Sequence, residues 1–281
     1  MASRLSISAL ASVYHGTLAN DLAGSLDSLI AQSHPADEII IVQDGPVTSD
    51  VQQCLNFYQE SLPIRLIPFT ENRGLGPALR DGLLACTHEL IARVDTDDRS
   101  LPSRFEHQIA FLSEHPEIAV VGGLMREIVS RNGIDEQLVR SVPCTHNDIR
   151  QGAKRRNPFN HPTVMFRKNA VLSCGSYQDC AFFEDYYLWV RLIMAGYLLS
   201  NIPEVLVETN IDSDFFSRRG GISYIAHEVR LSNRLFTIGF LALPQMLRFL
   251  ITRIPFRLTP PVVRAAIYRR LLRSHGKTAT S

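Results

Sequence analysis

The first hundred residues change repeatedly between two hydrophobic rhythms. Ile7, Ala9, Ala11 and Val13 alternate with Ser6, Ser8 and Ser12, a period of two that predicts a strand. A helix opened by Asn20 or Asp21 then runs to about Gln32. Glu38-Ile39-Ile40-Ile41-Val42 is a continuous apolar run, as expected of a parallel strand buried on both faces. It stops at the turn residues Gln43-Asp44-Gly45-Pro46. A second helix is predicted from Ser49 to about Ser61, a strand over Ile64–Ile67, a helix over Pro77–Cys86, a strand over Leu90–Val94 and a helix over Pro102–His115. This βαβαβαβ order implies an α/β fold built on a Rossmann-like, doubly wound, mostly parallel sheet.

From Ala119 onward the spacing shortens. Ala119–Gly122, Met125–Ser130 and Gln137–Val142 read as short strands, with a turn at Arg131-Asn132-Gly133. Val164–Phe166 is another strand, Asp185–Ala195 a helix closed by Gly196, and Ile202–Asn210 a last extended segment. These form a small mixed β portion. Beyond residue 214, Pro244, Pro255, Pro260 and Pro261 divide an Arg- and Leu-rich stretch into short helices. Two regions follow: a catalytic-type domain over 1–214 and a basic helical extension over 215–281.

Charge sharpens that division. The 281-residue chain has a net charge of +1, yet residues 215–281 hold twelve of the 29 bases and one of the 28 acids. The body, with 17 bases against 27 acids, is near −10 and the extension near +11. Such an extension suits an anionic partner: a membrane surface or nucleic acid. No nucleic-acid motif accompanies it, so nucleic acid is not expected. Val263, Ala266, Ile267 and Leu271 share a face that Arg270 interrupts, a pattern open to interfacial snorkelling or to packing on the body. No run is long enough for a spanning helix, and the start lacks a signal-peptide pattern. Five cysteines without a Cys-x-x-Cys pair argue against a zinc site or disulfide framework and for a reducing compartment.

Candidate chemistry gathers at strand ends, where open parallel sheets bind ligands. Ser12-Val13-Tyr14 follows the first strand and Asp44 the second; Asp44 reads equally as a turn former. Asn72-Arg73-Gly74-Leu75-Gly76-Pro77 precedes a helix start that could receive an anion, although its third glycine is missing for a dinucleotide fingerprint. Asp95, Asp97 and Asp98 are three carboxylates in four residues, whose mutual repulsion a hard cation such as Mn²⁺ or Mg²⁺ would relieve. Glu184-Asp185 lies among Phe182, Phe183, Tyr186, Tyr187 and Trp189, surroundings that raise a carboxylate towards general-base range, or simply the acidic first turn of a helix.

Ser-Val-Tyr, Ile-Ile-Ile-Val-Gln-Asp-Gly, Asn-Arg-Gly-Leu-Gly, Asp-Thr-Asp-Asp with Pro102 and Arg104, Asn160-His161-Pro162-Thr163 and Glu184-Asp185 occur in an order and spacing that resembles the family 2 glycosyltransferases of the GT-A fold. The nearest likeness is to those assembling bacterial exopolysaccharide (amylovoran-type) or lipopolysaccharide O-antigen, over roughly Ser6–Leu231. The resemblance implies an inverting transfer from a nucleotide-sugar, a UDP-sugar in the first instance, to a saccharide carried on a polyprenyl diphosphate. It implies Asp185, beside Glu184, as base; Asp97 with Asp95 as metal ligands for Mn²⁺ or Mg²⁺; and Ser12, Tyr14, Asp44, Arg73, Gly74, Asp95, His161 and Arg218 around the donor and acceptor. It tips the basic extension towards the cytoplasmic face of the inner membrane. Gln43 and Pro46 depart from relatives that carry an acid and a Ser there, so a donor preference cannot be carried over. Two rival classes remain: a nucleotidyltransferase, which should carry a Gly- and Lys-rich loop where Tyr14-His15-Gly16 stands, and a non-catalytic membrane-bound subunit of a polysaccharide complex.

Overall fold

The computed structural model describes residues 5–131, 134–211, 219–260, 262–264 and 274–275. Four parallel strands form one half: β1 (Ile7–Tyr14), β2 (Glu38–Asp44), β3 (Ile64–Pro68) and β4 (Leu90–Arg93), in spatial order β4-β1-β2-β3. Ile7, Ala9, Ala11 and Val13 of β1 join the cluster formed with α1 (Ala19–Ile30), α2 (Ser49–Tyr58) and α4 (Arg104–Glu114). Leu10 and Ile40 point the other way, into the cluster that holds Leu79 and Leu83 of α3 (Leu75–Ala85). Helices therefore cover both faces, which explains the uninterrupted apolar run of β2. Thr48 caps α2 by accepting from the Val51 amide at 3.4 Å. Asn20 and Asp21 do not cap α1: the helix begins at Ala19 behind Leu18 without a side-chain cap, and Asp21 sits in the first turn, where its charge favours the dipole.

The other half is the mixed portion. β8 (Met165–Arg167) pairs antiparallel with β4, followed by β6 (Ile118–Arg131), β7 (Ile134–Arg140) and β10 (Ser274–His275). β6 is one strand where two short ones are expected. Register shifts around Gly123–Met125 bulge it against β9 (Leu198–Asn210), and this bulge breaks the sequence pattern without breaking the strand. β5 (Asp98–Ser100), α5 (His146–Gly152) and α6 (Lys168–Ser173) are too short to have been recognised by periodicity. The turn at Asn132-Gly133 lies outside the described residues, between paired Arg131 and Ile134.

The basic extension contributes α8 (Gly221–Thr237) and α9 (Leu243–Leu258). Tyr224, Leu231, Leu235, Phe240 and Phe249 belong to the same hydrophobic cluster as Leu188, Trp189 and Leu192 of α7 (Glu184–Met194). These helices thus pack on the body. Pro255 does not end α9: Arg253 and Arg257, on either side of it, both bond the buried Glu228 of α8 and hold the helix across the missing amide. The 214/215 division falls in residues 212–218, and Ala266, Ile267 and Leu271 also lie outside the described residues. Among the described residues no helix is long and apolar enough to cross a membrane.

Candidate active site

The carboxyl end of β4 carries the acidic cluster, and a layer of buried arginine lies beneath it. Arg93, 1% exposed, donates to Asp95 and to the Val94 carbonyl. Arg104, equally buried, donates to the Arg93 carbonyl at 2.7 Å and to Ser100 Oγ at 2.9 Å, which ties α4 to the strand end. Burial opposes a charge on Asp95, but Arg93 overrides it and keeps the carboxyl below its usual range. Asp97, open to the cavity, is pushed up to about 6 by desolvation and then by the Asp95 charge. Asp98 begins β5 opposite Thr209; burial and its two acidic neighbours raise it well above the ordinary value. Among the described residues no three His, Cys, Asp or Glu side chains are grouped to hold a metal unaided.

The second acidic pair starts α7. No side chain caps this helix from its N-cap residue, Phe183, and Asp185 instead accepts from the Tyr186 amide at 2.6 Å through Oδ1. Its Oδ2 accepts from Asn157 Nδ2 at 2.5 Å. Glu184 is pushed up to about 7 by burial and by Asp185. Two residues earlier, Phe182 holds a left-handed backbone (φ 68°) with its ring exposed beside Tyr224 and His227. Such strain in a non-glycine residue collects at functional sites.

One cavity of about 590 Å³ joins the two pairs; its lining includes Asp95, Asp97, Asp98, His161, Glu184, Asp185 and Asn157. His161 meets the Tyr177 hydroxyl at 3.1 Å through Nε2, and burial, followed by Arg93, lowers it to about 4, so the ring is neutral. Ser12, Tyr14, Asp44, Arg73 and Gly74 are not part of that lining. The Ser12 carbonyl accepts from Thr96 Oγ1 at 3.4 Å, linking the β1 end to the acidic loop, and Tyr14 is exposed. Asp44 is buried and accepts the amides of Arg73 at 2.6 Å and Gly74 at 2.9 Å, so it shapes the loop entering α3. Arg73 pairs with Asp81 at 3.0 Å and stacks over Phe69. Arg218 lies outside the described residues. Sequence reasoning missed Arg93 and Asn157. A lone charge inside the Leu90–Val94 run signalled Arg93, whereas nothing local marked Asn157.

A parallel half-sheet whose ends carry acids, facing a second acid pair across one cavity, is the GT-A arrangement of sugar transferases. The family model for glycosyl transferase family 2 matches residues 8–180, and the chain belongs to that family. The amylovoran biosynthesis glycosyltransferase AmsE of Erwinia amylovora is 40% identical over 266 residues, 94% of this chain and 98% of that protein. An Escherichia coli UDP-Gal:α-D-GlcNAc-diphosphoundecaprenol β-1,3-galactosyltransferase is 32% identical over 252 residues, covering 90% and 91%. The fold is shared with the mannosyltransferase PcManGT of Pyrobaculum calidifontis, solved with GDP-Man and Mn²⁺: TM-score 0.66 at 17% identity, over 96% of this chain and 76% of that one.

Proposed function

We propose that this glycosyltransferase inverts the anomeric carbon of a nucleotide-sugar, a UDP-sugar in the first instance, as it builds a lipid-linked saccharide for a cell-surface polysaccharide. The observation that carries the reading is the cavity shared by Asp95 and Asp97 at one end and by Glu184 and Asp185 at the other. Asp97 presents hard oxygen donors beside an ionised Asp95, which fits Mn²⁺ or Mg²⁺ held jointly by one or two carboxylates and the substrate's phosphates. Such a cation would offset charge on the departing nucleoside diphosphate. Asp185, oriented by Asn157 and the Tyr186 amide, takes the proton of the acceptor hydroxyl. The hydroxyl oxygen bonds the anomeric carbon as the carbon–oxygen bond to the diphosphate breaks on the opposite side. Ser12, Tyr14, Asp44, Arg73, Gly74 and Arg218 belong to the donor side of this reading, and neutral His161 to the acceptor side.

The outer side of α9 supports work at a membrane surface: Leu243, Leu247, Ile251 and Leu258 are exposed, while Phe249, Arg253 and Arg257 face inward. We therefore assign peripheral attachment to the cytoplasmic leaflet, where an anionic surface meets this apolar row. Thermal shift with UDP, GDP and dTDP, each with and without Mn²⁺, tests the donor reading. Mn²⁺-dependent stabilisation by UDP is expected. No response to any of the three or to nucleoside triphosphates would favour a non-catalytic subunit, and a response to the triphosphates alone a nucleotidyltransferase.

A further inference from the structure

The cavity wall away from the acids is lined by arginine. Arg140 leaves the end of β7, Arg156 follows α5, and Arg253 and Arg257 stand one turn apart on α9. Behind this wall the fully buried Glu228 accepts through Oε1 from Arg253 at 2.6 Å and from Arg257 at 2.8 Å. One carboxylate thus serves two guanidinium groups. Among the described residues neither Arg140 nor Arg156 is ion-paired, which leaves an excess of positive charge facing the cavity. Arg219 and Arg264 also line the cavity, and the Arg264 guanidinium lies against Gly220, where a side chain would have to displace it.

These groups act on one another, and Tyr224 and Glu127 act on Arg219 in the opposite sense. Arg156 is lowered by burial and then by Arg140. Arg219, exposed at the cavity edge, is lowered to about 10 by desolvation and then by Arg140, with Arg257 adding to it and Tyr224 opposing. The acids at β4 are governed instead by Arg93 and Arg104. The two charged ends are therefore separate, and a second anion suits the arginine end. Guanidinium forks match phosphate oxygens.

Building on the donor reading above, we infer that Arg140, Arg156, Arg253 and Arg257 form a second diphosphate subsite, which takes the diphosphate of a lipid-linked acceptor while the donor's diphosphate lies at Asp95 and Asp97. The cavity of about 590 Å³ is lined by both the β4 acids and these arginines. The subsite lies at the inner face of α9, so a lipid chain leaving it passes the exposed apolar row of that helix.

The test is calorimetric titration of the full chain, saturated with Mn²⁺ and UDP, with farnesyl diphosphate, farnesyl monophosphate and farnesol in detergent micelles. Farnesyl diphosphate should bind with the donor site filled, and more tightly than the other two. The Arg140→Gln/Arg156→Gln double variant leaves the Glu228 pairs intact. It should weaken that binding at least roughly tenfold, from the loss of charged hydrogen bonds, with the melting temperature and Mn²⁺–UDP affinity kept. Expulsion of farnesyl diphosphate by Mn²⁺–UDP would assign the arginines to the donor instead and overturn the inference, as would wild-type binding in the double variant. If Mn²⁺–UDP itself fails to bind, the donor reading falls, and the same comparison made without UDP still decides whether the arginines hold a diphosphate.

Discussion

The carboxyl end of β4 presents three acids to the cavity and the start of α7 presents two, and the two ends differ in the charges that surround them. At β4, buried Arg93 and Arg104 lie under the acids, and Asp95 stays ionised despite burial. At α7 aromatic rings replace arginine, and Glu184 rises to about 7. On the reading proposed above, the first end holds a cation and the second accepts a proton. Environments that push carboxylates apart in this way define acid–base roles.

The comparison breaks most visibly if the β4 pair does not govern the donor. Asp97→Asn should abolish Mn²⁺-dependent stabilisation by UDP and reduce transfer by about a thousandfold or more, on the scale of lost transition-state charge stabilisation. Arg93→Met tests the arginine layer. Removing one partner of a buried pair should lower stability by about 3 kcal/mol in a denaturant titration. If unfolding is unchanged, Asp95 does not depend on Arg93 for its charge.

The α7 end makes a pH prediction. Burial raises Glu184 to a folded pKa of about 7, above the ordinary carboxylate range near 4.5, so its protonation favours folding fully below about pH 4.5 and this contribution is lost as pH rises through 7. Glu184→Gln should therefore gain stability relative to the wild type between pH 4.5 and 7, by up to about 3 kcal/mol. His161 works oppositely, since its folded value of about 4 favours folding above pH 6.5 and is lost as pH falls to 4. The wild-type curve alone would conceal both terms, so the difference between variant and wild type is the quantity to measure. The smallest effect is expected at Arg73, which joins the donor side through its backbone amide on Asp44 while its guanidinium serves Asp81 and Phe69. Arg73→Ala should change UDP affinity less than about threefold, a surface-sized effect.

How far the sequence could be read follows from the range of the interactions. The β4-β1-β2-β3 half was legible because each buried strand is a local apolar run bounded by turn residues, and Asp95-Thr96-Asp97 stood at the end of one. The β6–β9 pairing was not, because it joins strands far apart in sequence and bulges on the way. The Asn157–Asp185 bond spans 28 residues and leaves no periodic trace. In the extension, charge count pointed to an anion but not to the direction the arginines face. The buried Glu228 turns two of them inward, a contact that no local pattern announces. Pro255 misled for a related reason: a tertiary ion-pair network outweighed a local helix breaker.

The division of roles between the two ends is tested most directly by Asp185→Asn. Mn²⁺–UDP affinity and sugar transfer should be measured on the same preparation, with the UDP-sugar that binds and a diphosphate-linked acceptor. Affinity for Mn²⁺–UDP should stay within about twofold of wild type while transfer falls by about a hundred- to ten-thousandfold, the range for loss of a general base. Transfer at the wild-type rate, or loss of donor binding in parallel with it, would contradict the account.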